Sequence, residues 1–140
     1  MKRLISLFTL LLAHGVFAAD NTTLNKLEQL QWQNRVILVF SDRVDHYQQV
    51  FDDAESQVKD RDIVWFIIDG KQVITNYSGK LSDRFGPLLH QQFKTASQEV
   101  ILIGKDSGVK LQGQAYPIKS LFDEIDTMPM RIREMQENTD

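Results

Sequence analysis

The sequence predicts an α/β domain on a central mixed β-sheet of four to five strands, with elements in the order β-α-β-α-β-β-α. Three observations carry that expectation. Residues 36–40 (VILVF), 62–69 (DIVWFIID) and 99–103 (EVILI) are nearly continuous apolar runs rich in β-branched residues, the pattern of strands covered on both faces. Between them, Val44, Tyr47, Phe51, Ala54 and Val58 recur at spacings of three and four, as do Leu81, Phe85, Leu88 and Leu89, which marks amphipathic helices. Residues 104–108 (GKDSG) then supply the turn that reverses the third run onto 109–111. Helical crossovers imply a partly parallel sheet, and the hairpin adds an antiparallel edge.

Taken in order, the chain opens on a targeting pattern. Lys2 and Arg3 precede an apolar run over 4–12, and Val16-Phe17-Ala18 fits signal peptidase, so cleavage is expected after Ala18. The run is shorter than the ~20 residues a permanent span needs. Export to the periplasm or the outside is therefore expected, with no stable membrane insertion after cleavage. Residues 19–34 read as a polar N-terminal arm carrying Leu24, Leu27, Leu30 and Trp32, residues 35–137 as the domain, and 138–140 as a polar tail.

Within the domain, Ser41 is expected to cap a helix over 43–59, with Asp42 complementing its dipole. Residues 73–77 form a short extended piece. A second helix spans 82–94, kinked or restarted at Gly86-Pro87. In the hairpin, Asp106 should bond its own backbone and Gly108 should take positive φ. Pro117 opens a last helix whose apolar face is Leu121, Ile125, Met128, Ile132 and Met135. Pro129 should bend or restart it, with Asp126 or Thr127 capping the second half.

The formal charge is −3, and loss of Lys2 and Arg3 with the leader makes it more negative. No basic cluster offsets this, so nucleic acid is not an expected partner. The chain has no cysteine, which excludes disulfides and thiol chemistry and leaves stability to packing.

The order of elements resembles the thioredoxin fold. More closely, Leu102-Ile103-Gly104-Lys105-Asp106, Gly108 with Lys110, Leu121-Phe122, Ile125-Asp126 and Met128-Pro129-Met130-Arg131 with Glu134 resemble the domain of unknown function 4174 family. Arg35 and Arg61-Asp62 are similar to it too. That group is peroxiredoxin-like, with relatives among secreted bacterial proteins and in coiled-coil domain-containing and sushi-repeat matrix proteins. The resemblance implies a fold and supplies no catalytic residues. Thioredoxin enzymes place a cysteine where the first strand meets the first helix; here that junction is Ser41-Asp42-Arg43-Val44. The approach to the third strand, Thr95-Ala96-Ser97-Gln98, also lacks the proline such enzymes hold there.

Several groups carry both a chemical and a plain reading. Ser41, Asp42 and His46 include nucleophile and base types, but no GxSxG elbow is present. Asp42, Asp45, His46 and His90 are metal-ligand types without ligand spacing, and a solvated face explains them. Residues 105–110 could cradle an anion, although a plain hairpin turn accounts for them. Met130 and Arg131 suit a partner surface, or packing beneath a kink. Arg61-Asp62 should pair with a helix end or with Glu134, or form a strand-end charge pair.

The expected product is thus a non-catalytic binding module, with no cofactor, no catalytic set and no metal site. Its partner is a protein or small molecule. The candidate surface is Ser41, Asp42, Arg43, Lys105, Asp106, Lys110, Met130 and Arg131. The alternatives are an oxidoreductase relative acting through a partner thiol or bound cofactor, and a metal-assisted hydrolase.

Overall fold

A computed structural model describes residues 22–70, 72–94 and 98–140; the expected leader and its cut after Ala18 lie outside these. Five strands, β1 (Arg35–Phe40), β2 (Ile63–Asp69), β3 (Gln72–Thr75), β4 (Val100–Ile103) and β5 (Val109–Gly113), form one sheet in the order β3-β2-β1-β4-β5. β1 and β2 are parallel, and the other three pairings are antiparallel. Helices α1 (Val44–Asp53), α2 (Glu55–Asp60), α3 (Phe85–Phe93), α4 (Ile118–Asp126) and α5 (Pro129–Glu137), with a single 3-10 turn (Leu27–Leu30) in the arm, complete the described elements. The arrangement is consistent with a thioredoxin-like α/β fold.

The apolar runs lack alternation because both faces of the sheet are covered. Ile37, Val39, Trp65 and Leu102 pack on one side against Phe51, Val58, Leu121 and Ile125 from α1, α2 and α4. Phe51 lies flat on Trp65, with ring centroids 4.8 Å apart. Val36, Leu38, Phe66 and Ile101 point the other way, toward Phe85 and Leu89 of α3. The arm is part of this second layer. Leu24, Leu27 and Leu30 are buried in it, and the Leu24 amide donates to the Lys80 carbonyl at 2.7 Å.

Several local expectations are corrected. The helix over 43–59 is two helices, broken at Ala54 (φ −106°, ψ 19°). Ser41 does not cap it: its Oγ accepts from the Arg43 amide at 3.2 Å, and Arg43 itself is the N-cap. Pro87 produces no kink, because α3 starts at Phe85 and Pro87 sits in the first turn, where its missing N–H leaves no bond unmade. The restart expected at Pro129 is present: α4 and α5 are separate, with Pro129 at the first position of α5 after an extended Met128. Neither Asp126 nor Thr127 caps α5; the Thr127 hydroxyl donates to the Glu124 carbonyl and Asp126 binds two arginines. The break resets the helical phase, so Ile132 is exposed and Arg131 is buried in its place. In the hairpin, Asp106 Oδ1 does accept from the Gly108 amide at 3.0 Å, but the positive φ (68°) belongs to Ser107.

Side chains extend the sheet beyond its strands. Asn76 accepts from the Trp65 amide and donates to the Ile63 carbonyl, continuing the ladder past β3. At the other edge, the Tyr116 hydroxyl donates to the Gln112 carbonyl of β5 at 3.1 Å.

Candidate functional site

The two ends of the sheet differ in chemistry. Where β1 and β2 finish, Ser41, Asp42 and Arg43 border a polar depression with Asp69, Lys94 and Glu99. The Arg43 guanidinium donates to Glu99 at 3.0 Å and the Tyr47 hydroxyl donates to the same oxygen at 2.7 Å. Burial, and then the Glu99 hydrogen bond, push the Tyr47 phenol up to about 12. Burial works against the Glu99 charge, but bonds from Tyr47, Arg43 and Ser41 outweigh it and hold the carboxyl below its ordinary value. Neither group is poised for proton transfer near neutrality.

The residues of the serine and metal readings do not converge here. The His46 ring packs edge-on to Tyr47, and His90 lies against Phe40 with Nε2 3.0 Å from the Gly70 carbonyl. Among the described residues no hydrogen bond joins Ser41 to His46. Nor do three His, Asp or Glu side chains gather to hold a metal ion.

The opposite end, where β1 begins and β4 finishes, carries a network of four cations and four carboxylates. Arg35 donates to both oxygens of Glu134, at 3.0 and 3.2 Å, and to the Arg61 carbonyl at 3.0 Å. Lys105 bridges Glu134 (2.7 Å) and Asp62 (2.8 Å). Arg61 forks onto Asp126 at 3.0 and 2.8 Å and lies over the Phe122 ring. Arg131 binds Asp126 and Asp60. The expected pairing of Arg61 with a helix end is therefore present, with the end of α4, while Asp62 pairs with Lys105. Arg35, Lys105 and Arg131 are buried. The network fastens α5 to the sheet. Arg35 Nε is buried with no partner among the described residues, a situation that costs ~1–3 kcal/mol when nothing accepts from it.

The network makes the fold acid-sensitive. Burial opposes ionisation of Glu134 and Asp126, yet bonds from Arg35 and Lys105, and from Arg61 and Arg131, hold both carboxyls below 4.5 and 3.8, their ordinary values. A depressed folded-state value contributes stability that is fully present above the unfolded value and lost as pH falls through the folded one. The thermal midpoint should therefore fall between about pH 5 and pH 3. Glu134→Gln should be less stable at neutral pH and show a shallower fall. Parallel pH profiles for the two proteins would remove the network as the cause.

Beside the network is a cleft of about 590 Å³ between the Trp32 turn, the β4–β5 turn and the elbow joining α4 to α5. The eight candidate surface residues divide around it. Lys105, Asp106, Lys110 and Met130 line it. Arg131 is a correction: it is buried in ion pairs and is not a docking side chain. Lys105 reaches the wall but is likewise held by carboxylates. Ser41, Asp42 and Arg43 lie at the far end of β1. Trp32, which the sequence marks only as part of the arm, lines the cleft too, as do Glu124 and Arg133, which the sequence leaves unmarked. Trp32 is 61 % exposed with φ at 66°, and its amide donates to the Lys105 carbonyl at 2.6 Å.

Comparison with known proteins places the chain in a family. Neither the curated proteins nor the solved structures yield a match to the chain. A family model described as "Domain of unknown function (DUF4174)" matches residues 26–134, a span that takes in both the cleft and the network beneath it. On that match, the chain belongs to the DUF4174 family.

Proposed function

We propose that the protein is an exported, non-catalytic binding module that docks a partner protein through the cleft beside Trp32. The carrying observation is Trp32 itself. A bulky residue in the left-handed region costs ~1–3 kcal/mol and persists only where its surroundings hold it. Here the bond to Lys105 holds it, and the indole is turned outward at the rim. Tryptophan is enriched among residues that dominate binding energy, and Met128 and Met130 opposite it offer an adaptable apolar wall.

The thiol position of the fold supports a non-catalytic role. Ser41 cannot form a disulfide, and its hydroxyl starts far above the range in which a helix terminus could ionise it. The oxidoreductase reading, through a partner thiol or a bound cofactor, has the fold alone behind it.

A photo-crosslinker at Met130 in the exported protein should capture a partner in stoichiometric amount. Trp32→Ala should weaken that capture by about 30-fold at an unchanged thermal midpoint. Arg43→Ala, at the other end of the sheet, should leave it intact. Capture indifferent to Trp32→Ala would refute the reading.

A further inference from the structure

We propose that α5 is a latch: it opens as a unit about the elbow at Thr127-Met128 while the sheet and the other four helices stay folded. Each of those four helices buries at least one apolar side chain, whereas the one side chain that α5 buries is Arg131. No residue of α5 belongs to either apolar layer, and Ile132 is exposed. Among the described residues no backbone hydrogen bond joins α5 to another element. The Met128 amide closes α4 on the Ile125 carbonyl, and Pro129 has no N–H to give.

What holds α5 is ionic. Arg131 reaches Asp60 at the end of α2 and Asp126 in α4. Glu134 reaches Arg35 in β1 and Lys105 in the β4–β5 turn. Attraction between enclosed ions is offset by the water they give up, so such pairs add little net stability when both partners are freed together. Opening frees both; a substitution that strands one partner is the costlier event. The closed state also carries Arg35 Nε without an acceptor, a penalty that ends once water enters. A segment with few apolar contacts opens at a lower free energy than the core. The elbow wall of the cleft includes Pro129, Met130 and Arg133 of α5, so each opening takes the cleft apart. Opening needs no partner and stands apart from the docking role; only its effect on the cleft rests on that reading.

Amide exchange, read residue by residue by NMR on the chain starting at Ala19, tests the latch. After correction for intrinsic rates, amides 133–137 should exchange at one common rate, at least about tenfold faster than amides 36–39 of β1. Ile101→Val and Ile67→Val each thin one of the two apolar layers that persist after opening. Each should speed β1 exchange about fivefold and leave residues 133–137 unchanged, because the open and closed forms are weakened alike. Equal rates in the two segments, or equal speeding of both, would mean that α5 leaves only when everything unfolds, and overturns the proposal. Rates that climb steadily toward Glu137 would mean fraying from the helix end, and overturn it as well. Crosslinking through Met130 that ignores Trp32→Ala sinks the docking role and leaves the latch untouched.

Discussion

Arg35→Met is expected to lower the unfolding free energy by about 3 kcal/mol, read as a reduced urea midpoint at unchanged slope. Methionine keeps most of the stem's volume, so the loss reports on charge rather than on a cavity. Arg35 is fully enclosed, and its removal leaves Glu134, whose side chain is 22 % exposed, with Lys105 and, at 3.8 Å, Arg131 as its remaining cations. Breaking a buried pair from one side strands a charge, at ~3–5 kcal/mol. Lys105 keeps this case at the low end. Adding Glu134→Leu should recover part of the loss, because the stranded carboxylate goes too. A loss under about 1 kcal/mol would mean that the network behaves like an exposed set of ion pairs.

A chain that starts at Asn34 is expected to show no cooperative unfolding transition. The truncation removes Leu24, Leu27 and Leu30, all buried under 10 % exposure against α3 and the sheet. Each contributes ~1.5–3 kcal/mol by leaving water, and together they approach the ~5–15 kcal/mol that typically separates folded from unfolded. The truncation would also strip cover from Val36, Leu38 and Phe66. A chain starting at Thr22 retains the bonds to Lys80 and Ser82 and should melt as a chain starting at Ala19 does. Circular dichroism melting of both chains decides the matter. A sharp transition in the shorter chain, within a few degrees of the longer, would show the arm to be dispensable.

What could be seen in the sequence follows from the range over which each feature is determined. The strands at 36–40, 62–69 and 99–103 were legible because a nearly unbroken apolar run points to two covered faces, and that is what β1, β2 and β4 have. The break at Ala54 was not, since the apolar stripe from Val44 to Val58 runs through it and neither glycine nor proline marks it. Pro129 was visible as an interruption, but its effect on phase was not. Once the helix restarts, every later position rotates, and Arg131 turns inward while Ile132 turns out. The network is assembled from positions up to 99 apart in the chain, beyond any local periodicity. Arg61 and Glu134 were recognisable as charges near element ends, yet only the fold shows that Arg35 is shut in beside them. Trp32 looked like one more apolar residue of the arm. Its exposure depends on a backbone bond to Lys105, a residue contributed by a distant turn.

The Tyr116 hydroxyl on the outer edge of β5 bears on how the molecule behaves in a crowded compartment. A strand with open amides and carbonyls is a template for runaway stacking into fibrils. On β5 one of those carbonyls is occupied, and a charged lysine stands next to Val109. The ring can lie so close because residue 113 is glycine; a methyl there would come within 2.8 Å of the phenol oxygen. An invading chain would first have to peel the aromatic ring away, which keeps this border from growing.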